Sequence, residues 1–233
     1  MANEIVLVVF YAFILVYSII IHEVAHGVAA LKLGDGTAKY AGRLNLNPLV
    51  HIDLWGSIVM PLLMLLMTNF RFAFGWAKPV PYNPYNLKNQ KWGPALVALG
   101  GPVSNISLAL IAALIGKMIT IPLAVKADII YNVKFANWEA LSSLIAGSFG
   151  SIVFTLCAIV ILWNTLLAFF NLIPIPPLDG SKILFSIINV KTETMIMFEQ
   201  FGFVLLLLVI FLFSVPLGIF LNAMMNLFFS FAL

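Results

Sequence analysis

Charge is what this chain has least of. Of its 233 residues, 12 are Lys or Arg and 9 are Asp or Glu, 9% charged against 63% hydrophobic. A soluble domain is charged at roughly one position in four. With a mean hydropathy of +1.09, the composition excludes a water-soluble globule and implies a polytopic membrane protein. No dense Lys/Arg cluster accompanies the net charge of +3, which excludes an electrostatic grip on nucleic acid. The single cysteine, Cys157, allows neither an internal disulfide nor a cysteine metal site. It lies in an apolar run, where a small buried side chain is expected. No polar stretch is long enough for a separate soluble domain, so residues 1–233 are read as one membrane-embedded domain. The start, Met1-Ala2-Asn3-Glu4, has no basic n-region, so the apolar segment after it is expected to stay in the mature protein.

Histidine is equally scarce. There are three in the chain, and two fall in Ile21-His22-Glu23-Val24-Ala25-His26-Gly27. The form is His-Glu-x-x-His. Residues i and i+4 share a helix face, so His22 and His26 can offer two imidazoles to one metal ion. Glu23 lies beside that face and can reach a water without being a ligand. Two histidines, a metal and an adjacent carboxylate are the parts that activate water for hydrolysis. Ionisable groups in hydrocarbon are costly, so a functional site is the expectation for this motif.

The first apolar segment runs from about Ile5 to Leu33, long enough to cross a bilayer, with Gly34-Asp35-Gly36 as its stop. Residues 37–48 alternate apolar and polar, and Phe70–Trp76 reads similarly, so a small interfacial β-sheet is predicted from these two pieces. The first of them offers an exposed edge for strand addition by an unwound substrate. Trp55–Thr68 reads as a half-depth or tilted helix. Further spans are predicted over about Gly93–Ile121 and Ile145–Phe170, with a polar loop or interfacial helix over Val125–Glu139 between them. Pro174, Pro176 and Pro177 cannot continue a helix, and a new one is expected near Asp179. From Phe201 to Leu233 the chain is apolar, and Pro216-Leu217-Gly218 either divides it into two helices or kinks one. The predicted class is an all-α polytopic membrane protein of about five to six transmembrane or half-membrane helices with a small interfacial β-sheet. Lys32, Lys39, Arg43, Arg71, Lys78, Lys88 and Lys91 all precede the 93–121 span. The positive-inside rule therefore puts the motif's end towards the cytoplasm and the N-terminus outside.

A catalytic zinc site takes three protein ligands and keeps one position open. Asp179 follows broken backbone at the end of a span, which is tolerated where it lines a cavity or is buried in protein. It is either the third ligand or the N-cap of the helix that carries Lys182. His51, in His51-Ile52-Asp53, is a second candidate. Both His51 and Asp53 are also candidates for contacts that support the ligands.

Four stretches together resemble the site-2 protease family of intramembrane zinc metalloproteases. They are His22–Gly27, then Asn47-Pro48 through His51-Ile52-Asp53, then Gly101-Pro102-Val103-Ser104-Asn105, and last Asn171 through Pro174, Pro176 and Leu178-Asp179-Gly180. The resemblance implies one Zn2+ per chain on His22, His26 and Asp179, with Glu23 as general base and later proton donor. It implies Asn171 or Asn105 near the substrate, one of them stabilising the oxyanion. It also implies a membrane-spanning protein as substrate, cut within or beside its transmembrane segment, and a multi-pass protein of the cell membrane. No stretch corresponds to a PDZ domain or a CBS pair, so a minimal member is expected. One rival reading is a metalloprotease using a distant glutamate, Glu193 or Glu199. Another is a membrane metal or proton transporter, for which no internal repeat is found.

Overall fold

The computed structural model describes residues 2–69, 75–188 and 190–233. Helix α1 (Ala2–Lys32) is about 46 Å long at 1.5 Å per residue, more than a hydrocarbon core requires. It stops where Gly34 takes a φ of +110°. There the Asp35 amide reaches back to Ala30 O at 2.9 Å, a left-handed glycine cap.

The expected strand over 37–48 does not form. Thr37–Tyr40 is a single helical turn, α2, and Pro48–His51 is a short 3-10 turn. Asp35 causes the first turn, because its carboxylate accepts from Thr37 N (3.2 Å) and Thr37 Oγ1 (2.6 Å). The apolar residues of the stretch pack back on α1: a Cβ on Gly27 would lie 2.5 Å from Leu44 Cδ2 and 3.1 Å from Ala38 Cβ. The alternation therefore serves a helix face and not a partner strand. In the second predicted piece, Phe70–Phe74 lie outside the described residues. Among the described residues no strand occurs.

Asp53 caps a π-helical turn, Leu54–Val59, by accepting from Gly56 N at 2.7 Å. The turn runs directly into α3 (Met60–Met67). Together they rise about 21 Å, too short to cross, as a half-depth helix should be. The remaining helices are α4 (Gly93–Met118), α5 (Leu123–Lys134), α6 (Trp138–Ile145), α7 (Phe149–Asn171), α8 (Asp179–Ile187), α9 (Thr192–Leu212) and α10 (Ser214–Ser230). Among the described residues, α1, α4 and α7 are long and apolar enough to cross a membrane. The count is four if the end of α9 and α10, bent by 88°, form one broken span. The helix count differs from the expected five to six transmembrane or half-membrane helices: ten α-helices are described, of which three or four segments are long and apolar enough to cross. The break in the last apolar stretch falls at Phe213. Pro216 sits in the first turn of α10, where a missing N–H costs nothing.

The buried share rises from 22% in α1 to 39% in α4 and 56% in α7, so α7 is the most central of the three and α1 the most exposed. Its Phe154, Ala158 and Ile161 meet Ala109, Ala112 and Ala113 of α4, with Leu7, Ile129, Val133 and Phe228 closing the core. Small residues on α4 allow the close approach that holds helices together in lipid. The buried Lys126 ammonium donates to Gly116 O (2.9 Å) and Ala232 O (3.2 Å). It thereby ties the ends of α4 and the C-terminal segment to α5.

Candidate metal centre

The centre is built by three helices. From α1, His22 and His26 are both buried, with ring centroids 4.6 Å apart and planes at 90°. From the first turn of α8, Asp179 places Oδ2 3.1 Å from His22 Nε2 and 3.2 Å from His26 Nε2. Asp179 is not an N-cap; Leu178 holds that position and no side chain caps it. The Pro-rich loop delivers the carboxylate through tight turns, Ile175 N to Ile173 O (2.8 Å) and Leu178 N to Ile175 O (2.9 Å). A Cβ on Gly180 would strike the Leu172 carbonyl, so only glycine lets α8 start so close to the end of α7.

From α4 come the contacts that orient the rings. His22 Nδ1 meets Asn105 Oδ1. His26 Nδ1 lies 2.8 Å from Val97 O and 3.3 Å from Gly101 N. A carbonyl can only accept, and the Val97 contact is the shorter, so His26 Nδ1 carries the proton. Gly101 and Asn105 share one face at i and i+4. A Cβ on Gly101 would lie 2.5 Å from His22 Nε2 and 2.6 Å from His26 Cε1. The Gly-Pro-Val-Ser-Asn stretch thus roofs both imidazoles and grips one.

With both Nδ1 atoms donating, both Nε2 lone pairs face the Asp179 carboxylate. Two imidazole lone pairs aimed at one carboxylate oxygen at 3.1 and 3.2 Å repel it unless a metal ion or a proton lies between them. Ligands on a tetrahedral zinc at about 2.1 Å stand roughly 3.4 Å apart, close to the two separations seen. The donor set therefore fits zinc. Glu23 also has an oxygen within 4.8 Å of the imidazole nitrogens. Its Oε2 accepts from Val80 N at 2.9 Å, while Asp179 Oδ2 lies within 3.2 Å of both imidazoles.

Other predicted residues are placed elsewhere. Asn105 is fully buried, with its amide NH2 donating to Asn164 Oδ1 (2.7 Å) and Ser18 O (3.3 Å). Asn171 is half-buried at the end of α7 and donates to Leu167 O at 2.9 Å. His51 Nε2 donates to Asn45 O at 2.7 Å. Neither His51 nor the cap residue Asp53 bonds to His22, His26 or Asp179 among the described residues. Glu193 accepts from the Tyr85 hydroxyl at 3.2 Å on the exposed surface, away from the imidazoles; the Glu199 side chain is not among those described. Sequence reasoning missed Asn164, Ser18 and Gly101's contact. An amide in the apolar α7 was the available signal, since such groups bond across helices.

Sequence reasoning also missed the segment after Gly75. Trp76 N donates to Gly56 O (3.0 Å), Lys78 N to His51 O (2.9 Å) and Val80 N to Glu23. Ser57 Oγ donates to Trp76 O (2.9 Å), and Arg43 Nη2 to Lys78 O. Residues 76, 78 and 80 are thus held on one side. The backbone of Ala77 and the Pro79 carbonyl find no partner among the described residues. Beside this segment lies a cavity of about 460 Å³, walled by Ile19, Ile20, Ile52, Pro61, Trp76 and Ala77 among others. Ile19 and Ile20 precede Glu23 by one turn of α1, so the cavity lies along the helix that carries the motif.

The profile of peptidase family M50 fits residues 10–215. YwhC of Bacillus subtilis strain 168, a candidate zinc metalloprotease by name, is 35% identical over 206 residues. These make up 88% of this chain and 80% of that protein. Rip2 of Mycolicibacterium smegmatis, named likewise, is 26% identical over 194 residues, 83% of this chain and 63% of that protein. No solved structure matches the chain.

Proposed function

The chain belongs to peptidase family M50, the site-2 protease family, and from that premise we propose that it is an intramembrane zinc endopeptidase acting on membrane-spanning proteins. The observation that carries the reading is the approach of Asp179 Oδ2 to His22 Nε2 at 3.1 Å and to His26 Nε2 at 3.2 Å, with both Nδ1 atoms bound elsewhere as donors. One Zn2+ per chain is assigned to these three residues. Zinc held there supplies a Lewis acid that polarises a scissile carbonyl and acidifies water. Glu23, beside the imidazoles, takes the proton of the attacking water and passes it to the leaving amine. The Val80 amide on Oε2 aims that carboxylate. Asn171, half-buried at the mouth of the Pro-rich loop, is assigned to the substrate carbonyl in preference to the buried Asn105.

A peptide bond inside a transmembrane helix is shielded by its own hydrogen bonds, so the substrate must unwind before it is cut. The period-2 pairing of residues 76–80 leaves the pattern of a strand edge open on the other side. We assign substrate pairing to Ala77 and Pro79, in place of the edge expected near 37–48, and apolar substrate side chains to the adjoining cavity. We assign this end to the cytoplasmic face of the cell membrane, a reading supported by the Lys and Arg residues between α1 and α4 through the positive-inside rule.

The test is bound metal per purified chain together with cleavage of a transmembrane substrate, for wild type, Glu23→Gln and Asp179→Ala. Near-stoichiometric zinc in the first two, cleavage in the first alone, and loss of both in the third is the expected pattern. Zinc retained by Asp179→Ala removes the assigned ligand, and a folded wild type that takes up no zinc overturns the reading.

A further inference from the structure

Behind His22 lies a chain of buried polar groups with no direct contact to the metal ligands beyond its first member. Asn105 Nδ2 donates to Asn164 Oδ1 at 2.7 Å and to Ser18 O at 3.3 Å. Asn164 Nδ2 donates to Ser18 Oγ at 2.9 Å and to Val160 O at 2.9 Å. Ser18 Oγ donates to Ile14 O at 2.7 Å. Asn105 is 0% exposed, Asn164 1% and Ser18 3%, so water cannot replace a missing partner. Every donor in the series points the same way, from His22 towards the Ile14 carbonyl.

That direction is imposed by the backbone. The carbonyls of Ile14, Ser18 and Val160 can only accept. They hold the Ser18 hydroxyl and both amide NH2 groups as donors, so the two amide oxygens are left as acceptors. Asn164 Oδ1 therefore takes Asn105 Nδ2, and Asn105 Oδ1 is turned towards His22. A side-chain amide is otherwise free to flip, presenting NH2 in place of oxygen. A flipped Asn105 would donate to His22 Nδ1 and favour the tautomer protonated at Nε2, which cannot bind a metal through that atom.

We infer that Asn164 is a positioning residue: by fixing the orientation of the Asn105 amide it holds His22 with Nε2 free for zinc, although it touches neither. The inference rests on the zinc reading of His22, His26 and Asp179. It makes the central helix α7, from its own middle, a determinant of metal affinity on α1.

The test is zinc affinity, measured by chelator competition on detergent-purified protein, for wild type, Asn164→Asp, Asn164→Leu, Asn105→Asp and Asn105→Asp with Asn164→Leu. Asn164→Leu should weaken zinc about 10–100-fold, the range for residues that orient metal-ligating histidines. Asn164→Asp keeps an acceptor towards Asn105 and should stay within about 2-fold of wild type, the ordinary scatter of independent substitutions. At position 105 a carboxylate has no NH2 to present to His22. In that background Asn164→Leu should therefore also change affinity by no more than about 2-fold. Cobalt-loaded Asn164→Leu should show an altered visible spectrum, which simple loosening of α7 elsewhere would not produce. If the leucine chain does not fold, Asn164→Ala replaces it in the same comparison. Equal loss of zinc affinity in both backgrounds, or none in either, overturns the inference while leaving the metal site intact. A wild type without zinc overturns the site itself.

Discussion

Gly101→Ala is the substitution that probes the metal centre most directly, because it adds one methyl group and removes nothing. The new Cβ would lie 2.5 Å from His22 Cε1 and Nε2 and 2.6 Å from His26 Cε1. Carbon atoms rest at about 3.5–4.0 Å, so α4 and the imidazoles must separate by roughly 1 Å. Two effects on folding oppose each other. Alanine gains about 1 kcal/mol over glycine inside a helix, while overpacking costs typically 1–3 kcal/mol. The net change is at most about 2 kcal/mol, small enough for the chain to stay folded. The centre has no such offset, since a displacement of about 1 Å can cost some 10²-fold in rate. Moving α4 also pulls Asn105 and Val97 away from the two Nδ1 atoms. The assay is zinc content and cleavage rate for Gly101→Ala, beside Gly218→Ala in α10, where a Cβ would meet nothing within 4 Å. Gly218→Ala should match wild type in both. Gly101→Ala should fold, bind zinc weakly and cleave about 10²-fold more slowly. Wild-type zinc and rate in Gly101→Ala would refute the claim that α4 roofs the imidazoles.

Other expectations concern the walls of the site. Ile19→Trp narrows the 460 Å³ cavity, one helical turn before Glu23 along α1; competition between substrates should show lost cleavage beside large apolar residues and kept cleavage beside small ones, at unchanged zinc content. An unaltered preference would remove the cavity from the substrate path. Asp35 is fully buried and accepts from Thr37, Asn83 and Asn86, joining the end of α1 to the 83–86 turn. Asp35→Ala should cost about 3 kcal/mol, since hydrogen bonds to a charged group are worth about 1.5–3 kcal/mol each and donors are left buried; a thermal-melting change under 1 °C would contradict this. Burial raises the Asp35 carboxyl, but the bonds from Thr37, Asn86 and Asn83 outweigh it and leave the group below its ordinary value. Its stabilisation is therefore complete above about pH 4 and is lost as pH falls through the lowered value. The acid limb of a melting profile should be shallower in Asp35→Asn, and identical limbs would argue against the assignment.

Much of the centre was legible before any coordinates. His22 and His26 are local: a four-residue spacing on one helix places both rings on one side whatever the rest of the chain does. The apolar runs of α1, α4 and α7 were legible for the same reason, since each satisfies its own backbone in lipid. The strands predicted over 37–48 failed because period-2 alternation records which residues meet an apolar surface, not what that surface is. Here it is α1 at Gly27. The length of the 201–233 stretch hid its break at Phe213, because proline and glycine drew attention to positions that a helix start tolerates.

By itself the sequence determined that this is a membrane protein with a two-histidine motif inside a span, because composition and helical spacing are properties of single segments. It left Asp179 between ligand and cap, and His51 open as an alternative. Only the tertiary structure brings Asp179, and not His51, within hydrogen-bonding distance of the two imidazoles. Residues 157 positions apart, as His22 and Asp179 are, come within about 3 Å of each other only by packing. The same holds for Asn105, whose side chain reads equally well as an oxyanion donor or a histidine acceptor. Its burial against Asn164 and Ser18, contributed by two other helices, settles which end of the amide faces His22.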